Sequence, residues 1–493
     1  MAIALITFIP RDARTVAIPL PGCGPMHGPR KRNEYCGVAG FSSTREVSKI
    51  IYFSLRALQH RGQESAGIAT HNGRMHVVKG MGLVHEVFNE INLSYLKGKV
   101  GIGHVRYSTF GESIEENAQP IYLYTPEHEI AVAHNGEIVN VDELRMFLGS
   151  IGSGFTTRSD SEVIARLISY EITRKGIIPG LKEVVRRLRG SFSLAVLVDN
   201  RLFAIRDPFG IRPLSLGKID SGFGVASESV AFDSIGGEFL RDVRPGEIVE
   251  ITPEGFVTHH IFKRKHRAHC MFEYVYFARA DSVIDGRCVY DVRRKIGRIL
   301  AREQPAIADF VIPVPDSGRA HAIGYSEESG IPYAEGLMKN RYVERTFILP
   351  SQESRVKEIT MKLNPVRSVV DGHRIVLVDD SIVRGNTMRK IVKMLRDAGA
   401  REVHVRIGSP PIVAPCYLGI DMKTRDQFIA TGRSVEEIAR QIGADSLGYI
   451  SIDGLVEAIG IPHEDLCLGC LTGEYPVSIP GERIRHQSDL EEF

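Results

Sequence analysis

Apolar and polar positions alternate in short stretches along residues 36 to about 265 and predict many strands with few helices between them. The polar pairs at 72–73 and 199–200 each separate two apolar runs and predict β-hairpins. Apolar residues recur every three or four positions along residues 45–60, which predicts an amphipathic helix. This segment is therefore expected to be an α+β domain of stacked antiparallel sheets between helices.

The pattern changes after residue 265, where helical and strand segments alternate. VYDVRRKIGRILARE predicts a helix and DFVIPVP a strand. The apolar run Ile375 to Val378 predicts a central parallel strand, followed by a loop and a helix that begins near Thr387. Residues 266–476 are therefore predicted to form an α/β domain, with a leader at 1–35 and a C-terminal tail at 477–493.

Composition limits the partners. The 493 residues are 43% hydrophobic and 25% charged, and 62 Lys and Arg nearly balance 60 Asp and Glu. A net charge of +2 favours neither nucleic acid nor an acidic membrane surface as a partner. We find no apolar run near the ~18 residues that span a bilayer. Seven cysteines are too few for a disulfide scaffold, so a reducing, cytoplasmic location is expected.

Cys36 is the candidate nucleophile, because small residues follow it in EYCGVAGFSS and leave room for a ligand. The alternative is a core cysteine that acts as a small hydrophobic residue. No histidine stands in the obvious place for a base. Cleavage between Tyr35 and Cys36 would free an α-amine, with a reference pKa near 8, that could accept the thiol proton.

Polar residues at the ends of predicted strands supply the other parts of an amide-cleaving site. The Asn135 side chain and the Gly136 backbone N–H could donate to an oxyanion. Arg106 could bind a carboxylate and Asp160 an ammonium group, which together select an α-amino acid. The alternatives are an ordinary turn at Asn135, a salt bridge at Arg106 and a helix cap at Asp160.

The segment VLVDDSIVRGNT indicates a phosphate site. Ser381 to Thr387 would place backbone N–H groups and hydroxyls at a helix N-terminus, and Gly385 would allow close approach of the backbone. Asp379 and Asp380 suit ribose hydroxyls and Mg²⁺ rather than a phosphate. The alternative is a helix cap beside an exposed acidic pair.

YCGVAGF, LQHRGQESAGI, GHVRYST, AHNGEI and SDSE resemble, in order, the glutaminase domain of the class II amidotransferases, which are N-terminal-nucleophile hydrolases. The resemblance implies that Cys36 is the nucleophile and that Asn135 and Gly136 form the oxyanion hole. It also implies glutamine contacts and two neighbours that order the site: Arg106, Thr109 and Asp160, with Tyr107 and Arg61.

VLVDDSIVRGNT resembles the phosphoribosyl pyrophosphate loop of type I phosphoribosyltransferases, VPDSGRA their pyrophosphate loop and KNRYVERTF their mobile loop. The resemblance implies Mg²⁺ positions at Ser317, Asp379 and Asp380. It implies further contacts with phosphoribosyl pyrophosphate: Asp316, Ser317, Lys339, Arg341, Tyr342, Asp379, Asp380, Ser381, Arg384, Gly385, Asn386 and Thr387, with Arg345 a further candidate in the mobile loop.

Four cysteines are candidates for a further site: Cys270, Cys416 and the C-x-x-C pair Cys467 and Cys470. The spacing alone allows zinc, redox or iron–sulfur chemistry. The resemblance to the cluster-bearing branch of one family implies a 4Fe-4S cluster, with structural Zn²⁺ as the alternative. Cys288 has no motif and is expected to be an ordinary helix residue.

A class II glutaminase joined to a type I transferase resembles one family, glutamine phosphoribosylpyrophosphate amidotransferase. The resemblance implies formation of phosphoribosylamine, pyrophosphate and glutamate in the first committed step of purine synthesis. It also implies feedback inhibition by purine nucleotides and a homotetramer. Other class II amidotransferases lack DDSIVRGNT, and an inactive regulatory module would be expected to lack the acidic pair or the basic residues of the mobile loop.

Overall fold

The computed structural model describes residues 36–107, 114–340, 363–420, 422 and 424–484. The predicted leader, Thr109, Arg341, Tyr342 and Arg345 lie outside these residues. No helix among the described residues is long and apolar enough to cross a membrane.

The first half of the described chain contains these strands: β1 Gly37–Ser43, β2 Ser65–His71, β3 Met75–Met81, β4 Val100–Arg106, β5 Ile121–Tyr124, β6 Glu129–Ile138, β7 Gly190–Val198, β8 Arg201–Arg206, β9 Ser215–Ile219, β10 Gly222–Ala226, β11 Glu238–Asp242, β12 Glu247–Thr252 and β13 Gly255–Ile261. Its helices are α1 Ser48–Ala57, α2 Val84–Val87, α3 Glu90–Tyr95, α4 Val141–Ser150, α5 Asp160–Lys175, α6 Ile177–Arg187 and α7 Val230–Asp233, with a 3₁₀ turn at Glu115–Asn117.

Within the described residues these strands form two antiparallel sheets, ordered β11-β9-β10-β1-β4-β2-β3 and β13-β12-β8-β7-β6-β5. One core lies between the sheets, and alternate residues of each sheet also pack outward against helices. In β1, for example, Val38 belongs to the core between the sheets, whereas Ala39 and Phe41 pack on the helical side. The predicted layering, both hairpins and the helix within 45–60 are confirmed.

The second half contains these strands: β14 His269–Cys270, β15 Val283–Ile284, β16 Arg287–Cys288, β17 Phe310–Pro313, β18 Leu337–Lys339, β19 Leu363–Pro365, β20 Arg374–Asp379, β21 Glu402–Ile407, β22 Ser446–Tyr449, β23 Leu466–Cys467, β24 Glu474–Tyr475 and β25 Arg483–Ile484. Its helices are α8 Val289–Glu303, α9 Arg319–Ser329, α10 Arg367–Val370, α11 Asn386–Asp397, α12 Val435–Ile442, α13 Ile452–Ile459 and α14 Gly469–Thr472, with a π-helix at Glu273–Phe277 and 3₁₀ turns at Arg425–Gln427 and His463–Asp465.

A parallel sheet in the order β17-β20-β21-β22 forms the centre of the described second half. The interior strand β20 carries the predicted apolar run, in which Ile375 to Val378 are buried on both faces of the sheet. The carboxyl ends of β17 and β20 are neighbours, so the segments that follow them lie side by side.

The prediction for Cys288 is wrong. Cys288 ends the short strand β16 and has extended backbone, and helix α8 begins at the next residue. The hairpin pairing of Val283 with Cys288 holds it in the strand. The sequence did not predict this two-residue pairing, because a helical pattern begins directly after Cys288.

Candidate functional site

The Cys36 thiol lies at the start of β1, buried against the end of β4. It donates a hydrogen bond to the backbone carbonyl of Tyr107 at 3.6 Å. Burial raises the pKa of the Cys36 thiol to about 11, and the charges of Arg106 and Asp160 act on the pKa in opposite directions. The thiol is therefore neutral near pH 7, and it needs a base before it can attack.

Arg106 and Asp160 present opposite charges to the Cys36 thiol. Arg106 is the last residue of β4 and forms a buried ion pair with Glu64. Asp160 is the first residue of α5, and Ser159 is the residue that caps this helix. The cap proposed as an alternative role for Asp160 is therefore provided by its neighbour.

Asn135 has the most informative side chain on β6. It is fully buried, and neither its Nδ2 nor its Oδ1 atom has a hydrogen-bond partner among the described residues. A buried amide without partners is costly, and a ligand that accepts from it removes the cost. Gly136 has a φ of 149°, and a Cβ there would lie 2.1 Å from the Ser191 carbonyl oxygen, so only glycine fits.

Residues that the sequence analysis missed hold the backbone of His134, the residue before Asn135, in place. The ring Nε2 of His104 lies 3.0 Å from the His134 carbonyl oxygen, and burial lowers the pKa of His104 to about 3. Gln119 accepts from the His134 backbone N–H at 2.7 Å and donates to the Ser161 hydroxyl at 2.9 Å. For His104, a polar residue inside an otherwise apolar strand was the available signal, whereas Gln119 lies in the loop before β5 and had none.

The segment after β17 contacts the segment after β20, as the resemblance implied. The backbone N–H of Val314 donates to the Val378 carbonyl at 2.8 Å, and the Ser317 side chain forms a hydrogen bond with Asp380. Burial raises the pKa values of Asp379 and Asp380, and for Asp379 the neighbouring Asp380 charge raises it further.

This acidic pair is not exposed as its alternative interpretation supposed. Asp380 is buried and Asp379 half-buried, and the Ser381 hydroxyl donates to Asp380 at 2.5 Å. Two adjacent carboxylates with raised pKa values favour a cation or hydroxyl donors beside them. The side-chain oxygens of Ser317 and the two aspartates are therefore suitable ligands for Mg²⁺.

Gly385 is the residue immediately before α11 and has a φ of 73°, which favours glycine. A Cβ there would lie 2.2 Å from Cδ1 of Ile429. Asn386 and Thr387 follow in the first turn and are exposed, and Arg384 is half-buried. The loop thus ends in a helix N-terminus open to an anion.

Lys339 and Asp316 form an ion pair at 2.7 Å at the start of the segment predicted to be a mobile loop. Arg319, which the sequence analysis missed, donates to the other carboxylate oxygen of Asp316 at 2.8 Å. Two cations therefore lie beside the predicted pyrophosphate loop. Their exposure makes the ion pairs weak, so an anionic ligand could compete for both.

The structure brings the four predicted cluster cysteines together. Cys270 and Cys467 are partners in the parallel pairing of β14 with β23. The carbonyl of Cys470 accepts from the backbone N–H groups of Val413 and Ala414 at 3.0 and 3.1 Å, which holds the C-x-x-C segment beside the chain that leads to Cys416.

Burial raises the pKa of Cys416 to about 11 and that of Cys467 to about 12, and it also raises the pKa values of Cys270 and Cys470. Interactions with the other cysteines raise the pKa values of Cys416, Cys467 and Cys470 further. Within the described residues, no group of three or more His, Cys, Asp or Glu side chains could hold a metal ion as it stands.

Two protein-family models match separate parts of the chain. Residues 104–234 match the model of a glutamine amidotransferase domain, and residues 289–407 match that of a phosphoribosyl transferase domain. Each match falls inside one predicted domain.

Curated relatives match nearly the whole chain. The amidophosphoribosyltransferase of Methanothermobacter thermautotrophicus is 54% identical over 94% of this chain and 99% of its own. That of Bacillus subtilis is 48% identical over 91% of this chain and 95% of its own.

Two solved structures share the fold. One is the glutamine phosphoribosylpyrophosphate amidotransferase of B. subtilis complexed with ADP and GMP, with a TM-score of 0.85 and 46% identity over 91% of this chain and 99% of that one. The other is described as the allosteric regulatory enzyme of purine biosynthesis, with a TM-score of 0.84 and 45% identity over 90% of this chain and 97% of that one.

Proposed function

This chain belongs to the amidophosphoribosyltransferase family, the glutamine-dependent enzymes of the first step of purine biosynthesis. We propose that Cys36 releases ammonia from glutamine and that the 379–387 loop binds the phosphoribosyl pyrophosphate with which the ammonia reacts. One observation carries the assignment of the first half: the buried Cys36 thiol is influenced by both Arg106 and Asp160. Opposite charges that both act on one thiol suit the carboxylate and ammonium groups of glutamine.

In the first half-reaction, the sulfur of Cys36 attacks the side-chain amide carbon of glutamine. The C–S bond forms as the carbonyl electrons move to oxygen, and Asn135 with Gly136 donates to that oxyanion. When the oxyanion collapses, the C–N bond breaks and the nitrogen takes the thiol's former proton and leaves as ammonia. Water then cleaves the thioester to glutamate and restores the thiol.

The base for this step is the α-amine of Cys36 itself, released by removal of residues 1–35. Support comes from the pKa of about 11 that burial gives the thiol, because such a group is not a nucleophile near pH 7 without a base. The freed amine belongs to the same residue as the thiol, so it can accept the thiol proton directly or through a water molecule.

In the second half-reaction, ammonia displaces pyrophosphate from phosphoribosyl pyrophosphate. The C–N bond forms at the anomeric carbon as the C–O bond to pyrophosphate breaks. The N-terminus of α11 binds the 5-phosphate, and Asp379 and Asp380 bind the ribose hydroxyls. Mg²⁺, for which Ser317 and the two aspartates supply oxygen ligands, would neutralise pyrophosphate charge when bound. Lys339 and residues of the predicted mobile loop bind pyrophosphate and exclude water.

Ammonia passes between the two sites inside the protein. In bulk water near neutral pH it would be protonated and would lose the lone pair that attacks the anomeric carbon. Transfer within one chain avoids that loss.

Cys270, Cys416, Cys467 and Cys470 hold a 4Fe-4S cluster. The support is their donor chemistry: four thiols at one buried place, three of which affect the pKa values of the others. The cluster would cross-link the C-terminal segment to β14 when bound. Structural Zn²⁺ is the alternative occupant.

Purine nucleotides inhibit the enzyme, and it works as a homotetramer in the cytoplasm. Inhibition is supported by the ADP and GMP bound to the solved B. subtilis relative. A reducing location is supported by the six described cysteines, all of which are free thiols.

The test uses purified protein with phosphoribosyl pyrophosphate, Mg²⁺ and either glutamine or a high concentration of ammonia. Cys36→Ala is expected to lose glutamine-dependent pyrophosphate release by about a thousandfold or more, and to keep the ammonia-dependent rate. Cys288→Ala is the matched control and keeps both rates. Equal loss of both rates in Cys36→Ala would show that the division of labour is wrong.

A further inference from the structure

A buried row of charged side chains joins the candidate nucleophile to the four cysteines. It begins at Arg61, whose Nε donates to the backbone carbonyl of Cys36 at 3.0 Å. The same guanidinium donates to both carboxylate oxygens of Glu273, at 2.8 and 3.0 Å. The side chains of Arg61 and Glu273 are 0% and 2% exposed, so water does not replace these contacts.

The row continues from Glu273 to the cysteines through Arg212. Oε1 of Glu273, which accepts from Arg61, also accepts from Nη1 of Arg212 at 3.4 Å. Nη1 of Arg212 reaches the sulfur of Cys270 at 3.7 Å, and its Nη2 donates to the carbonyl of Leu418. The Leu418 backbone N–H in turn donates to the sulfur of Cys416 at 3.4 Å. We call Arg61, Glu273 and Arg212 the Arg–Glu–Arg bridge.

Opposite charges keep the bridge ionised although it is buried, and Nη1 of Arg61 also donates to Glu228, a carboxylate beside the bridge. Burial would lower the pKa of Arg61, but the charges of Glu273 and Glu228 outweigh that effect and raise it. Burial would likewise raise the pKa of Glu228, but the charges of His60 and Arg61 hold it well below its usual range. Removal of Glu273 would take from Arg61 one of its two carboxylate partners and from Nη1 of Arg212 the carboxylate that it contacts, so these side chains are expected to move together.

Glu273 is placed to serve both ends. It begins the π-helix Glu273–Phe277, three residues after Cys270, and it reaches back to Arg61 in the glutaminase domain. Arg61 holds the carbonyl of the residue whose nitrogen and sulfur are both proposed to react. A shift of the Cys270 segment would therefore move Glu273, loosen Arg61 and change the orientation of Cys36.

We propose that Glu273 is a positioning residue for Cys36, and that the Arg–Glu–Arg bridge makes the reactivity of Cys36 depend on whether the four-cysteine site is filled. The proposal rests on the proposed roles of Cys36 as nucleophile and of the cysteines as cluster ligands. It assigns to a residue of the second domain a role in glutamine chemistry, although Glu273 contacts neither substrate nor the reacting atoms.

The first test compares Glu273→Gln with Glu247→Gln in the processed enzyme. Glu247 is also a buried carboxylate paired with an arginine, Arg241 at 2.8 Å, but it lies on β12 and has no contact with the bridge. Four quantities are measured: kcat and KM for glutamine, the ammonia-dependent rate, the unfolding temperature, and the rate at which a diazoketone analogue of glutamine labels Cys36, followed by mass spectrometry.

Glu273→Gln is expected to lower kcat with glutamine and the labelling rate about tenfold, with KM within about twofold and the ammonia-dependent rate unchanged. Glu247→Gln is expected to change neither kcat nor labelling. Labelling of Cys36 at the wild-type rate in Glu273→Gln would overturn the positioning role. Because the neutral variant could fold poorly, Glu273→Asp is measured too: it keeps the charge but shortens the reach, and slow labelling at an unchanged unfolding temperature supports positioning.

The second test compares the protein before and after iron is removed from the cysteine site. Wild-type enzyme is labelled before and after removal of iron by a chelator, and Glu273→Gln is treated in the same way. Iron removal is expected to slow Cys36 labelling in the wild type and to have little further effect in Glu273→Gln. An equal slowing in both proteins would overturn transmission through the bridge. Failure of the two underlying roles would be recognised separately. Full glutamine activity in Cys36→Ala would reject Cys36 as the nucleophile, and purified protein without iron would reject the cluster.

Discussion

Cys270 and Cys467 are paired residues of two parallel strands, although they come from opposite ends of the second domain. Each strand is only two residues long, and the cysteine is the last residue of both. So short a pairing contributes little by itself. A group bound by both sulfurs would therefore add a direct link between the C-terminal segment and the junction of the two domains, beside the apolar packing that already joins them.

Replacement of Cys467 by serine tests this link. We expect the purified, anaerobically prepared variant to lose nearly all its iron and its brown colour, and its unfolding temperature to fall by roughly 5–10 °C. Iron content and thermal unfolding measure both effects. Cys288→Ser, which changes a half-buried cysteine outside the group, is the control and keeps its iron. Stoichiometric zinc without iron in the wild type would reject the cluster in favour of the alternative.

The unpartnered amide of Asn135 gives a second prediction. Asn135→Ala removes one oxyanion donor, so kcat with glutamine should fall about 10²–10³-fold with little change in KM. The ammonia-dependent rate should not change. Steady-state kinetics with both nitrogen sources measure these quantities.

Asn140→Ala is the matched control for Asn135. The Asn140 amide already donates to the Arg187 carbonyl at 2.9 Å and accepts from the Arg189 backbone N–H at 3.1 Å. Its loss should cost about 1–3 kcal/mol of unfolding free energy and leave kcat unchanged. A similar fall of kcat in both variants would assign the effect of Asn135→Ala to general disturbance of β6 and the segment that follows it.

The acidic pair after β20 gives a third prediction. Asp380→Asn removes a charge from the ribose and Mg²⁺ site, so pyrophosphate release with either nitrogen source should fall about 10²-fold or more. Glutamine hydrolysis to glutamate should persist, because the first half-reaction does not use Asp380. Asp397→Asn, an exposed aspartate at the other end of α11 paired with Lys393, is the control with wild-type rates.

The pKa of Cys36 gives a fourth prediction, on pH dependence. In the chain that still carries its leader, burial raises the thiol pKa to about 11, so the thiolate is a small fraction below that pH. Alkylation of Cys36 should then rise about tenfold per pH unit from about pH 7 to about pH 10. In the chain that begins at Cys36, the α-amine should support fast alkylation already near pH 8.

Peptide mass spectrometry of both proteins after timed alkylation measures these rates. A plateau below about pH 9 in the uncleaved chain would contradict the raised pKa. Wild-type glutamine activity in a chain whose leader is intact would contradict the role of the freed amine.

Local sequence was sufficient for much of the fold and site. Strand alternation, hairpin turns and the glycine-bearing loop at 379–387 depend on residues close together in the chain, and the motifs around Cys36 and Asn135 identify groups whose chemistry is a property of the side chain. These features predicted both fold classes, and the apolar run predicted for β20 and the predicted start of α11 each agree with the structure to within one residue.

Tertiary structure alone decided how groups from distant segments affect one another. The pKa of Cys36 depends on burial and on Arg106 and Asp160, and the unpartnered state of Asn135 depends on everything packed around β6. Apart from Arg61, which the family resemblance implied, the Arg–Glu–Arg bridge had no signal in sequence, because an arginine or a glutamate is usually exposed and nothing local marks the ones that become buried partners. Sequence thus determined which chemical groups this protein has. Packing decided which of them are buried together and so form ion pairs, exchange a proton or bind the same ligand.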